Sequence, residues 1–188
     1  MTPIIGTIAS STRQGLSSDA GSVFGINSYT VPSTGTNSIT FSNIPQTYTH
    51  LRIVGAMRDS RSARLSPNFV RFNGDSGSNY SYHENYADVG GFLGSGSASD
   101  VQMYVFRTAG STSPSNMMGI FIADIYDYTS TNKFKTMFGR GGIDTQSEGV
   151  IQQFSGTWKN TSAITSITLL PFTAPYLQYS QVSLYGVA

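Results

Sequence analysis

The chain has 188 residues, of which 11% are charged, 12% are aromatic and none is cysteine, and its formal net charge is +1. The lack of cysteine excludes disulfide frameworks, thiolate metal sites and cysteine nucleophiles, and the scattered basic residues predict neither a nucleic acid nor an anionic membrane as partner. Residues 1–20 lack the features of a signal peptide and no apolar run approaches the roughly 20 residues that cross a bilayer, so we predict no membrane insertion.

The first part of the chain differs from the rest. Residues 3–9 are mostly apolar and run into a stretch rich in Ser, Thr and Gly, with neither a helical nor an alternating period. A segment of this kind either dangles or becomes ordered by lying on another surface, such as a partner subunit. We therefore predict an extended N-terminal arm over residues 1–22 that binds a partner through Pro3, Ile4, Ile5 and Ile8.

From residue 23 to residue 188 the pattern is that of a β-sandwich domain. Runs rich in β-branched and aromatic residues are broken at intervals of roughly 8–12 residues by Gly, Pro, Asn or Ser, and no window has helical spacing for three turns. The predicted strands, about ten in number, cover residues 24–31, 38–41, 50–57, 69–72, 101–106, 119–128, 133–139, 150–158, 163–170 and 176–185. The predicted fold class is all-β, an antiparallel, jelly-roll-like β-sandwich, with one domain as the default at this length.

Alternation within these runs predicts which side chains form the core. Leu51 and Ile53 in one run, and Val182 and Leu184 in another, alternate with polar residues, as in a strand with one solvent-exposed face. Residues 120–123, Ile-Phe-Ile-Ala, are apolar on both parities. That pattern predicts a central strand that is covered on both sides or faces a neighbouring subunit.

Residues 74–99 are rich in Gly, Ser, Asn and Tyr, and we predict a long loop there with no strand. Aromatic side chains, an imidazole and a carboxylate crowd together within it, a composition that suits sugar binding or a contact between subunits. The candidates for ligand or subunit contact are Tyr80, Tyr82, His83, Tyr86 and Trp158. The glycine-rich segments 90–96 and 139–142 have no following Lys-Ser/Thr or helix, so we predict turns and no phosphate site.

Catalytic constellations are not apparent in the sequence. The chain has two histidines, His50 and His83, and no nucleophile elbow. Asp124 and Asp127 are three residues apart on a predicted strand and point to opposite faces. We therefore expect them to lie near a strand end and to be satisfied by turn amides or by Lys133 and Lys135 rather than by a substrate. The prediction is a non-enzymatic protein with no metal and no cofactor.

Several segments resemble a module of virion structural and tail-fibre-like proteins of tailed bacteriophages, particularly phages of cyanobacteria and marine bacteria. The clearest of them is residues 28–60, SYTVPSTGTNSITFSNIPQTYTHLRIVGAMRDS. Further matching pieces are Ile-Tyr-Asp-Tyr at 125–128, Lys-Phe-Lys-Thr at 133–136, Gly-Thr-Trp at 156–158, Thr-Ser-Ala-Ile-Thr-Ser-Ile at 161–167 and Ser-Leu-Tyr-Gly at 183–186. These are packing and turn motifs, so no functional residue carries over from the family.

The resemblance implies a subunit of a phage particle, assembled in the host cytoplasm, with other phage structural proteins as partners and a homo-oligomeric state, a trimer by analogy. Because no coiled-coil or fibrous repeat precedes the module, we expect a tail adaptor, a tip or a capsid-decoration subunit rather than a shaft. The alternative is a receptor-binding tip that recognises glycan on the host surface. A polysaccharide depolymerase would need converging acids that the sequence does not offer.

Overall fold

The computed structural model describes residues 23–146 and 148–188, so the predicted arm, with Pro3, Ile4, Ile5 and Ile8, lies outside the described residues. Within these ranges the chain is all-β, without an α-helix or any helix that could cross a membrane. The twelve strands of this part are β1 (Val23–Thr30), β2 (Ile39–Phe41), β3 (His50–Met57), β4 (Leu65–Phe72), β5 (Tyr80–Asp88), β6 (Gly91–Asp100), β7 (Met103–Ala109), β8 (Gly119–Tyr126), β9 (Lys135–Asp144), β10 (Gly149–Trp158), β11 (Ile167–Pro171) and β12 (Gln181–Val187).

The strands form two antiparallel sheets, which make an antiparallel β-sandwich. The larger sheet has eight strands in the order β1-β12-β3-β8-β9-β10-β5-β6, and the smaller has four in the order β2-β11-β4-β7. All ladders between named strands are antiparallel. The predicted fold class of a β-sandwich is confirmed.

The core lies between the two sheets and is built by the alternation of side chains along each strand. Leu51, Ile53, Val182 and Leu184 are fully buried in it, as predicted. The same cluster contains large aromatic side chains from both sheets and, from the segment between β11 and β12, Tyr176; those from the sheets include Phe72, Tyr80, Phe106, Phe121, Phe154 and Trp158. Phe106 and Phe121 stack across the interface between the sheets, with ring centroids 3.7 Å apart.

The predicted loop over residues 74–99 is wrong, because strands β5 and β6 form a hairpin there. β5 pairs along its length with β10, from Ile151 opposite Ala87 to Trp158 opposite Tyr80. Asn85 and Asp88 have low β-propensity, but the ladder with β10 and the burial of Tyr80 and Glu84 on the inner face hold β5 in place. β6 is an edge strand that pairs with β5 alone, so it needs no buried side chains.

The predicted turns at the glycine-rich segments are also mostly wrong. Gly139, Gly141 and Gly142 lie inside β9, and residues 91–96 lie inside β6, which leaves only residues 89–90 as a turn. A Cβ atom at Gly139 would come within 2.3 Å of the Phe154 ring. Gly139 therefore serves close packing within the sheet, whereas Gly91, with a φ of 114° and no atom near its Cβ position, serves the β5–β6 turn.

Strand boundaries also differ from the predicted ones by several residues. β4 begins at Leu65, four residues before the predicted start at residue 69, and it contains Pro67. Proline has no N–H group, so it cannot donate a hydrogen bond to a neighbouring strand and is rare in central strands. β11 ends at Pro171, which pairs with Asn68, so Pro67 has a neighbour only in β7 and proline is tolerated there.

Candidate functional site: the outer face of the eight-stranded sheet

Strand β8 explains why residues 120–123 are apolar on both parities. Phe121 and Ala123 point inward and are buried, whereas Ile120 on the other face is 61% exposed. The run is therefore covered on one side by the core. Its second side lies on the outer face of the eight-stranded sheet, open to contact from outside.

Six small or apolar residues form one cross-strand row on this outer face. The register places them side by side on β3, β8, β9, β10, β5 and β6, and we call them the apolar row: Ala56, Ile120, Gly142, Ile151, Ala87 and Phe92. Ile151 is 76% exposed and Phe92 is 75% exposed. Isolated exposed hydrophobic residues are common, but a contiguous apolar strip across six strands is typical of an interaction site.

A groove follows much of this row. Its cavity volume is about 760 Å³, and its walls come from β12, β3, β8, β9 and β10. Val54, Ile120, Ile122 and Ile151 supply most of its apolar side chains. Gly142, which lacks a side chain between Ile120 and Ile151, leaves space in the floor.

Arg140 is the main charged group in the groove. Its register partners are Ile122 in β8 and Gln153 in β10, so it lies in the row next to the apolar row. It is exposed and forms no ion pair with the described residues. By contrast, Arg52 on the same face donates from Nε and Nη2 to Asp124, at 2.7 and 2.9 Å. Arg140 is thus the groove's available cation for an acidic or hydrogen-bonding partner.

A smaller cleft of about 180 Å³ lies farther along the same face. Phe138, which is 46% exposed, forms its apolar wall. Polar side chains of neighbouring strands surround it, namely His83, Asn85, Gln153 and Ser155. His83 and Phe138 both lie opposite Ser155, in β5 and β9 respectively. An aromatic surface beside amide and hydroxyl groups can both stack and form hydrogen bonds.

The five residues predicted as ligand or subunit contacts do not lie together on a surface. Tyr80 and Trp158 are fully buried, and the Trp158 Nε1–H donates to Asp75 Oδ2 at 2.7 Å, so neither reaches an external partner. Tyr82 and Tyr86 are partly buried on the inner face of β5. His83 alone of the five is on the outer face, at the cleft.

Asp124 in β8 and Asp127 in the following turn each form an ion pair, and a predicted lysine partner is found only at Asp127. Asp124 pairs with Arg52, and Asp127 pairs with Lys133, which holds the pKa of Asp127 below its usual value. Lys135 was a predicted partner for these acids, but its ammonium donates to the carbonyls of Lys133 and Thr161 instead. Within residues 23–146 and 148–188 no three His, Cys, Asp or Glu side chains are grouped as metal ligands would be.

Sequence reasoning missed Ile151, Phe138 and Phe92, although parity carries a signal for the first two. In β10 the inward residues Val150, Phe154 and Trp158 share one parity, and Ile151 is apolar on the other. Phe138 breaks the pattern of β9 in the same way, since Met137 is the inward residue beside it. An apolar residue on the polar parity of a strand predicts an exposed apolar side chain at that position.

Comparison with known proteins identifies no family. No family model matches the chain, and no curated protein matches its sequence. Among solved structures, the chain is similar to the galectin LEC-6 of Caenorhabditis elegans, with 8% identity and a TM-score of 0.31 over 86% of this chain and 96% of that chain. A likeness of this degree bears on neither ligand nor activity.

Proposed function

We propose that this chain is a non-enzymatic structural subunit of a tailed bacteriophage particle, acting as a tail-fibre or tail-adaptor protein or as a capsid-decoration protein. In this proposal the N-terminal arm anchors the subunit, and the outer face of the eight-stranded sheet contacts a neighbouring copy or another phage structural protein. The phage context comes from the resemblance of residues 28–60 and the later segments.

The single observation that supports an assembly role best is the apolar row with its groove. Ile120, Ile151 and Phe92 together expose three large apolar side chains on one strip. Apolar area left exposed in the free subunit is removed from water when a partner packs on it, and this removal drives protein association. Arg140 beside the row would add orientation to such a contact.

A pelleting experiment tests this function. The purified chain is mixed with phage particles that lack it and is then sedimented with them, alongside an Ile120→Ser/Ile151→Ser variant and a Phe134→Ser control. Phe134 is 51% exposed and lies outside the row, so its replacement changes surface polarity elsewhere. We expect the wild type and the control to sediment with the particles and the row variant to remain in solution. The proposal would be contradicted if all three proteins sedimented with the particles, or if none of them did.

A second candidate function, recognition of glycan on the host surface, is supported by the cleft at Phe138. Neutral amides and hydroxyls around an exposed aromatic ring match the hydrogen-bonding edges and apolar faces of a saccharide. A glycan array with the wild type, a Phe138→Ala variant and the Phe134→Ser control tests it. Signal lost only with Phe138→Ala would favour a receptor-binding tip, and an array without signal would remove this candidate.

A further inference from the structure

The apolar row carries no charge across the eight-stranded sheet. Its register partners in β12 and β1, Gln181 and Thr30, are uncharged as well. The next row on this face contains Arg140, and the row after that contains Arg52 and Asp124. When two copies of a sheet pack face to face about a two-fold axis, a residue on the axis meets the same residue of the other copy. A charged residue there would meet a like charge, so the apolar row is suited to lie on such an axis.

Arg140 and Asp144 lie on opposite sides of the apolar row, each two residues from Gly142 in β9. Both are exposed on the outer face. Asp144 Oδ1 accepts a hydrogen bond from the Gln146 N–H at 2.8 Å. Neither charged group forms an ion pair within residues 23–146 and 148–188. Four residues of a strand span roughly 13 Å, so the two are too far apart along β9 to pair with each other.

A two-fold axis along the apolar row would bring these two charges together. The rotation reverses the strand direction in the second copy, so a residue before Gly142 faces the residue equally far after Gly142 in the other copy. Arg140 of each copy then lies opposite Asp144 of the other, which gives two opposite-charge pairs. Packed sheets are roughly 10 Å apart, a gap that arginine and aspartate side chains together can span.

The area of this contact is at the lower limit for a specific dimer. The apolar row lies near the end of the sheet at which β9 ends, so two antiparallel copies overlap over about three rows, or roughly 20 Å along the strands. Six strands at a spacing of about 4.8 Å are roughly 29 Å wide. The contact thus covers roughly 600 Å² per copy, against about 800 Å² for a typical stable interface. A reversible dimer is the expected result.

We propose that the free protein forms a symmetric dimer in which two eight-stranded sheets pack outer face to outer face about a two-fold axis along the apolar row. Ile120 and Ile151 of both copies pack around the space that Gly142 leaves, and Arg140 and Asp144 fix the register. The inference deepens the proposed function, and it rests on that function in treating the outer face as an assembly surface. The partner is a second copy of this chain, in a dimer instead of the trimer that the phage resemblance implies.

Exchanging the two charges tests this register. Arg140→Glu places a carboxylate opposite Asp144 of the other copy, and Asp144→Lys places an ammonium group opposite Arg140. The double variant Arg140→Glu/Asp144→Lys restores both pairs with their signs exchanged. Arg71→Glu is the control for the change in charge, since Arg71 lies in β4 of the four-stranded sheet. Circular dichroism checks that each variant is folded.

Sedimentation equilibrium of the full chain at a series of concentrations measures the Kd of the dimer. We expect the wild type and the control to dimerise equally well, because the four-stranded sheet takes no part in the contact. Each single variant should raise the Kd at least about tenfold, since it creates two like-charge contacts. The double variant should return the Kd to within about threefold of the wild-type value, because the two sites interact directly. Misfolding of a single variant cannot imitate this rescue.

The proposal would be overturned by a wild type that stays monomeric or forms a trimer, by single variants that dimerise like the wild type, or by a double variant without rescue. No particle is present in this experiment, so it is independent of the pelleting test. A monomeric wild type that still sediments with particles through the apolar row would reject the second copy as partner. The proposed function would then stand, with another phage protein on the outer face.

Discussion

Arg107 and Glu84 join the two sheets through a bidentate ion pair, with Nη1 3.0 Å from Oε2 and Nη2 3.1 Å from Oε1. Arg107 belongs to β7 of the small sheet, and Glu84 belongs to β5 of the large one. Their side chains are only 17% and 4% exposed, and the guanidinium lies 4.1 Å from the centre of the Tyr86 ring. The pair therefore fastens the β5–β6 hairpin, which carries His83 and Phe92, to the opposite sheet.

Replacing Arg107 with alanine should lower the free energy of unfolding by about 3–5 kcal/mol, because Glu84 would remain buried without its partner. The matched control is Arg52→Ala, which breaks an ion pair whose side chains are 36% and 24% exposed. We expect the control to cost about 0–1 kcal/mol. Urea denaturation of the three proteins measures both changes. Similar losses in the two variants would contradict the prediction that the buried ion pair contributes more to the free energy of unfolding than the exposed one.

Asp59 and Asp75 should have opposite effects on how the free energy of unfolding depends on pH, because their pKa values are shifted in opposite directions. Asp59 is fully buried, and burial raises the pKa of its carboxyl above 3.8. Burial also tends to raise the pKa of Asp75, but hydrogen bonds from Trp158, Asn79 and the Gly77 N–H outweigh it and hold that pKa below 3.8.

For Asp59 the folded state binds the proton more tightly than the unfolded state, so stability falls as pH rises from about 3.8 through the higher folded pKa. Asp59→Asn should therefore gain stability relative to wild type over that range. For Asp75 the ionised carboxylate stabilises the folded state, and this stabilisation is lost as pH falls through the low folded pKa. The wild type therefore gains stability as pH rises through this range, and Asp75→Asn, which cannot ionise, should become less stable relative to it. Urea denaturation at a series of pH values tests both, and slopes of the same sign would contradict the assignment.

Gly110→Ala should be strongly destabilising because the chain passes very close to the backbone before β4. A Cβ atom at Gly110 would lie 2.1 Å from the Ala63 carbonyl oxygen and 2.8 Å from that of Arg61. Such overpacking against backbone costs about 1–3 kcal/mol or more. Gly25→Ala is the control, since no atom lies within 4 Å of its Cβ position, and we expect a change within about 0.5 kcal/mol. Thermal denaturation measures both changes. A melting temperature of Gly110→Ala equal to that of the wild type would contradict the prediction.

Trp158 provides a simple optical test of the core. It is the chain's single tryptophan and is 1% exposed. We expect emission at shorter wavelength than that of free tryptophan and weak quenching by acrylamide, both changing to free-tryptophan values in urea. Strong quenching of the native protein would mean that the indole is accessible, as the sequence-based assignment to ligand contact requires.

Much of the fold could be predicted from local patterns, and the candidate site could not. The alternation around Leu51 and Val182 predicted the inner faces of β3 and β12, because burial on one side of a strand requires it. The hairpin β5–β6 escaped prediction because its stability comes from pairing with β10, which is more than 60 residues away along the chain. The apolar row on the outer face could not be predicted because it joins residues from six separate strands.

The sequence by itself determined that the chain is all-β and which side chains its clearest strands bury, since period-two alternation and turn residues are local properties. Only the tertiary structure decided that Trp158 and Tyr80 belong to the core, and that Ile120, Ile151 and Phe92 share one exposed strip. Strand order and register place residues beside one another regardless of their separation in sequence. A surface assembled in this way has no contiguous signature in the chain.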